Sequence, residues 1–343
     1  MADIYGQRIQ STVNTEYLPF LVDQVLTSNV VAQRVIRAAK KFEFTGRQMR
    51  QAIAIDDEAG YTTFRGMTAL PTDVKDNLRY LEWNPAFATT HCALPGDELS
   101  IAQSAGENAV INLLKSGIEH ASLILADNIG RAFYESDGTG TDFNGLAALV
   151  DDGTSVANIG GLSRSTYSVL QGTVTGSGGA LTLAKMDTLH DAVSSGSIAP
   201  TIIPTTKTVK SLLEQLLRQY QHINTDAEVS MVKNSMVPGG FKTPHYRGAP
   251  VVSDEKAVSG TLYMVNENFL DFMGLSTYGN NPIKYSGTIK GNDYSSVEGL
   301  GFSTSDMFSF QNAYGFIGRI YFAGNFTTKR PKSHGKLTGI TSA

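Results

Sequence analysis

The nearest approach to a phosphate-binding loop is Gly240-Phe241-Lys242-Thr243, but Ser235 stands where the leading glycine of such a loop is required. Without it the chain has no run of backbone amides shaped to cradle phosphates. Gly-x-Ser-x-Gly does not occur, which leaves no nucleophile elbow. The histidines His91, His120, His190, His222, His245 and His334 are scattered, with no His-x-x-x-His pair and no cysteine pair nearby to complete a zinc site. Asp56-Asp57-Glu58 and Asp151-Asp152 are adjacent carboxylates, and neighbours on an extended chain point apart rather than into one acid–base site. Asp137 to Asp142 lacks the oxygen-ligand spacing and closing Glu of a calcium loop, so helix termination is its expected role. Cys92 is the only cysteine, which excludes an intrachain disulfide and suits a small buried hydrophobe. Catalytic residues, cofactors and metals are therefore not expected, and neither is an enzyme.

Charge carries more information. The chain is acidic, with a net charge of −4, yet Met307 to Ala343 contains no Asp or Glu and carries Arg319, Lys329, Arg330, Lys332 and Lys336. A second basic patch holds Arg34, Arg37, Lys40, Lys41, Arg47 and Arg50 against Glu43 alone. Residues 51–306, with 16 basic and 28 acidic side chains, are strongly acidic. Separated charge of this kind suits a surface that meets other copies of itself, because opposite patches attract and fix register. The acidic total argues against a dedicated nucleic-acid binder. No apolar run approaches the length of a membrane span, and Met1 to Gln10 does not read as a secretory signal.

The elements that would carry these residues follow from hydrophobic period. Residues 1–40 read as a polar N-terminal arm. Lys41 to Ile55 and Tyr80 to Thr90 alternate as two strands of a long projecting hairpin, so residues 41–95 form a unit that must lie on something else. Ile111, Leu114, Ile118, Ala121, Leu125, Ile129 and Ala132 repeat at helical spacing, predicting one helix over 97–136 that Gly138 and Gly140 stop. Gly106, Gly117 and Gly130 mark where it would bend or break. Residues 141–280 change to short apolar runs, with helices expected over Leu183 to Val193 and Val209 to Tyr220 and a loose stretch over Gly172 to Gly179. Residues 281–343 read as closing strands, ending in Phe316 to Phe322 and a basic tail.

That order of elements, an α+β chain of arm, hairpin, long helix, Gly-rich mixed domain and returning strands, resembles the major capsid protein of tailed bacteriophages, the Hong Kong phage capsid fold. Asp137-Gly138-Thr139-Gly140 leading to Phe143-Asn144-Gly145-Leu146 is similar to the exit of the family's spine helix into its axial domain. Tyr246-Arg247-Gly248-Ala249-Pro250-Val251 is similar to a late turn and strand of that domain. Tyr314-Gly315-Phe316-Ile317-Gly318-Arg319-Ile320, followed by Lys329 to Lys336, resembles the closing strand of the peripheral domain. The resemblance implies a self-assembling icosahedral shell of hexamers and pentamers, found in the virion and built in the host cytoplasm, without a membrane. It implies as partners a scaffolding protein and portal, packaged double-stranded DNA through weak non-specific contact, and a decoration protein. The chain departs from the family in reaching its hairpin within about forty residues, without a long scaffolding segment. Lys75 stands at the hairpin tip, where some relatives form an isopeptide bond, but no partner is evident and no bond is expected. A bacterial nanocompartment shell of the same fold and a hydrolase with a dispersed site remain the alternatives.

Overall fold

The computed structural model describes residues 31–32, 34–35, 42–43, 48–55, 62–67, 70, 78–176, 178–218, 244–274, 281–282, 287–289, 292–294, 302–305, 307–309 and 314–341. The first strands are β1 (Phe42–Glu43), β2 (Met49–Ala54), β3 (Leu78–Trp83) and β4 (Ala86–Pro95), followed by helices α1 (Gly96–Ala105), α2 (Glu107–Glu135) and α3 (Leu146–Leu149). Next come β5 (Asn158–Ile159), β6 (Leu162–Ser163), β7 (Thr173–Thr175), β8 (Gly179–Ala180), α4 (Leu183–Val193), β9 (Ile203–Thr205) and α5 (Lys207–Arg218). Strands then predominate: β10 (His245–Tyr246), β11 (Ala249–Ser253), β12 (Leu262–Met264), β13 (Leu270–Gly274), β14 (Asn281–Pro282), β15 (Gly287–Ile289) and β16 (Asn292–Tyr294). The last are β17 (Phe302–Thr304), β18 (Phe308–Ser309), β19 (Gly315–Thr328), β20 (Gly335–Leu337) and β21 (Ile340–Thr341).

The expected long helix is two helices. Gly106 stands between them at φ 116°, a conformation that L side chains rarely adopt, and this interrupts the ladder between α1 and α2. The apolar face of α2 is as its period predicts: Leu114, Ile118, Ala121, Leu125 and Ile129 are buried. That face lies on β4, and Gly117 lets it lie close, since a Cβ there would stand 2.5 Å from Cys92 Sγ. Gly138 and Gly140, both at positive φ, turn the chain after α2 has ended at Glu135.

The hairpin is shorter than the alternation of residues suggests. It consists of β2 on β3, from Met49 opposite Trp83 to Ala54 opposite Leu78. Pro85 has no amide to donate to a ladder, and pairing changes partner there. β4 leaves for β19, with Ala86 opposite Gly324 and Pro95 opposite Gly315. β1 pairs in parallel with β13. The end of the expected arm is also packed: Val31, Ala32 and Val35 belong to the main core, while residues 1–30 lie outside the described residues.

Two sheets organise the rest. A seven-stranded peripheral sheet has the order β1-β13-β19-β17-β14, with β4 and β18 also on β19; a six-stranded axial sheet has the order β10-β11-β9-β12-β20-β7. One core joins α2 to the peripheral sheet, and a second joins the axial sheet to α4 and α5. The expected basic tail is no tail, because β20 lies between β12 and β7. Thr173 to Thr175, read as a loose stretch, is the edge strand β7 beside it.

β12 pairs antiparallel with β20 in the axial sheet, and β13 pairs antiparallel with β19 in the peripheral one. Besides the long passage from β4 to β7, the chain therefore crosses directly between the sheets at two places, in opposite directions, over residues 265–269 and 329–334. The crossings are bonded to each other, with the Lys329 amide donating to the Phe269 carbonyl at 3.0 Å and the Asn266 amide to His334 Nδ1 at 3.3 Å. One antiparallel ribbon threads both sheets, and five residues face six at its middle.

Candidate intersubunit surfaces

Most of the described basic residues singled out by charge are engaged inside their own chain. Arg34 grips both carboxylate oxygens of Glu267 through Nε and Nη2, at 2.6 and 2.9 Å. Arg50 pairs across the hairpin with Glu82 at 2.9 Å, in an exposed setting where such a pair is worth about 0–1 kcal/mol. Lys329 pairs with the buried Asp271, and the Arg330 guanidinium lies 5.9 Å from the Phe269 ring centre. Lys336, on the interior strand β20, reaches Asp151 Oδ1 at 3.3 Å and is itself buried. Lys332 is exposed on the turn Pro331–Ser333. Arg37, Lys40, Lys41 and Arg47 lie outside the described residues.

Asp151 shows why these partners belong to the fold. Burial alone would raise its pKa, but the amides of Val156 and Gly153 and the Lys336 ammonium outweigh it and hold the carboxyl below its usual value. Asp152 is partly exposed and bonds the Thr154 amide, so the adjacent pair caps a turn. Arg164, fully buried beside it, donates to the carbonyls of Asp151 and Ala148. Among the described residues no group of three His, Cys, Asp or Glu side chains could hold a metal ion.

Exposed apolar side chains mark a different surface, one that charge does not reveal. β2 and β3 turn Gln51, Ile53, Leu81 and Trp83 inward, and the Trp83 indole N–H donates to Gln51 Oε1 at 3.2 Å. The outward face carries Leu78 and Tyr80 beside the Arg50–Glu82 pair. In the connection between the strands Phe64, Met67 and Leu70 are exposed, Met67 completely. Five of the twelve exposed large hydrophobics among the described residues thus lie between positions 64 and 80. A two-stranded hairpin gains little core of its own, and apolar groups concentrated on one mark an interaction surface. Smaller exposed groups occur on the peripheral sheet, at Phe87, Phe308 and Phe316, and on α2 at Leu123 and Ile124. The signal that could have found the first group is the apolar content of an otherwise polar connection: Phe64, Met67 and Leu70 stand among Thr, Arg and Gly.

No family model and no curated protein matches the chain. Solved structures do. The capsid of cyanophage A-1(L) matches with a TM-score of 0.69 at 16% identity, over 92% of this chain and 94% of that one. The chain has the tailed-phage capsid fold. The capsid of a native GTA particle matches at TM-score 0.55 and 10% identity, over 91% of this chain and 90% of that one. The encapsulin SrpI of Synechococcus elongatus matches at 0.54 and 12%, over 89% and 86%. In terms of the capsid fold, β2 and β3 are the extended loop, α2 is the spine helix, and the two sheets belong to the peripheral and axial domains.

Proposed function

We propose that this chain is the structural subunit of an icosahedral shell, assembled as hexamers and pentamers, that encloses the double-stranded DNA of a phage. The observation that carries this reading is the nearly full-length likeness to the cyanophage A-1(L) capsid, at a higher TM-score than the encapsulin's. The exposed apolar hairpin supports it, since such a surface is covered when a neighbouring copy lies against it. Scaffolding protein, portal, a decoration protein and weak DNA contact are proposed as further partners, the virion as the final location and host cytoplasm as the place of assembly. The fold and its polar centres are put to structural rather than catalytic use. Arg50 and Lys332 are proposed as contacts between subunits on their exposure, and Arg37, Lys40, Lys41 and Arg47 on charge alone. Arg34, Lys329, Arg330 and Lys336 are assigned to the fold by their partners.

Electron microscopy of the chain expressed alone, and expressed with a candidate scaffolding protein, tests the reading. Closed shells are expected in at least one case, and soluble monomers in both would overturn it. A nanocompartment is the second reading, favoured by the likeness to SrpI. Shells that enclose a co-expressed enzyme rather than nuclease-protected DNA would establish that reading instead.

A further inference from the structure

On its β3 side the hairpin meets the body at a joint of two residues, and its inward Ile53, Leu81 and Trp83 belong to the main core. β3 ends at Trp83 and β4 begins at Ala86, leaving Asn84 and Pro85 between them. Asn325, buried on β19, donates from Nδ2 to the Asn84 carbonyl at 2.7 Å. Its Oδ1 accepts from the amides of Asn144, at 2.8 Å, and Phe326, at 2.9 Å. One buried side chain therefore ties the joint to the exit of the spine helix and to the longest strand. A second contact lies just up the hairpin, where the Glu82 amide donates to the Gly160 carbonyl at 2.9 Å. Gly160 is in the turn between β5 and β6, at φ 54°, and the fully buried Leu81 lies over it. A Cβ at Gly160 would stand 2.8 Å from Leu81 Cβ and 3.1 Å from Leu81 Cα, so only glycine allows this approach. Gly161, at φ 80°, has nothing within 4 Å of the same position. Beside the contact opens a cleft of about 430 Å³, lined by Glu82 to Ala86 and by the turn that holds Gly160.

We propose that Asn325 is a pin and Gly160 a seat, and that together they hold the root of the hairpin at one angle to the body. The proposal rests on the shell reading, because the angle matters only if the hairpin must meet a neighbour. Six residues of β3 span about 20 Å, so a turn of about 10° at the joint moves the far end by about 3.5 Å. That displacement is close to a full van der Waals contact distance. Losing the seat would leave the chain folded and broaden the range of angles at which subunits join.

Gly160→Ala and Gly161→Ala separate the seat from backbone strain, since both place Ala at positive φ and only the first meets Leu81. Hydrogen exchange at the Glu82 amide should be at least about tenfold faster in Gly160→Ala than in Gly161→Ala. Shells of mixed diameter are expected from the first variant and uniform ones from the second. Equal exchange in the two, or uniform shells of parental diameter from Gly160→Ala, overturns the proposal. Asn325→Asp is read the same way should Gly160→Ala not fold, because it keeps both accepted bonds and turns the donor to Asn84 into a carboxylate oxygen that repels that carbonyl. A parent chain that forms no shells, either alone or with a scaffolding protein, would instead defeat the shell reading. The exchange comparison alone then decides the seat, with equal rates overturning it and the tenfold difference upholding it.

Discussion

His334 is fully buried in the middle of the ribbon that joins the sheets. Its Nδ1 accepts from the Asn266 amide, so Nε2 carries the proton and donates to Thr328 Oγ1 at 3.0 Å. Burial lowers its pKa to about 3, from a usual 6.5. The unfolded chain therefore binds one more proton than the folded one between those values. Stability from this group is complete above pH 6.5 and is lost as pH falls toward 3, at up to about 1.4 kcal/mol per pH unit. His334→Gln keeps an acceptor and a donor without titrating, so urea unfolding at pH 7 and pH 4.5 should show a smaller acid loss than in the parent. Asp151 acts in a lower window: with its pKa depressed, its contribution is present above the ordinary carboxylate value and lost as pH falls through the folded one. At Gly117 packing opposes propensity. Ala should gain about 1 kcal/mol in a helix, but overpacking against Cys92 Sγ costs about 1–3 kcal/mol. Gly117→Ala is expected to lower the melting temperature, and Cys92→Ala in the same chain to restore much of it; a simple sum of the two single effects would show that the residues do not press on each other.

At the scale of elements, the hairpin gives the clearest expectation. Replacing residues 60–77 by a short Gly-Ser turn removes Phe64, Met67 and Leu70 and leaves Leu81 and Trp83 in place. Circular dichroism should be unchanged while gel filtration and electron microscopy show that closed shells fail to form; normal shells would mean that the tip is not a contact. What could be read from sequence divides by distance along the chain. The face Leu114 to Ile129 was legible because a helix makes its contacts every three or four residues. The hairpin's existence was legible from alternation, but its length was not, because Ala86 to Pro95 find their partners on β19, more than 200 residues away. Strand β20 was unreadable for the same reason: Gly335 to Leu337 are three residues between strands at 173–175 and 262–264. Basic residues suggested an interface, yet Arg34 and Lys336 meet carboxylates 233 and 185 positions away in their own chain, which no local pattern encodes.

For the whole molecule, the proposed division of charge between fold and assembly is tested at two residues four apart. Lys336→Met leaves Asp151 buried without its cation, a loss of about 3–5 kcal/mol where one partner of a buried pair is removed. Chemical denaturation should show that loss directly. Lys332→Glu reverses an exposed charge and should leave unfolding within about 0.5 kcal/mol of the parent. Its effect is expected on assembly rate, followed by light scattering, with added salt narrowing the difference from the parent as screening removes it. A salt-independent rate change, or a large loss of stability, would place Lys332 with the residues that hold the chain together.

The paired crossings between the sheets have a mechanical meaning. Tension between the two sheets must pass through whatever joins them. Here two covalent strands run side by side in opposite directions, bonded to each other at Phe269 and His334, and both span the gap, so a pull between the sheets is carried by two backbones at once. Pulled by one residue of each sheet in a single-molecule instrument, the subunit should therefore keep its two sheets together until a strand of the ribbon is drawn out of one of them.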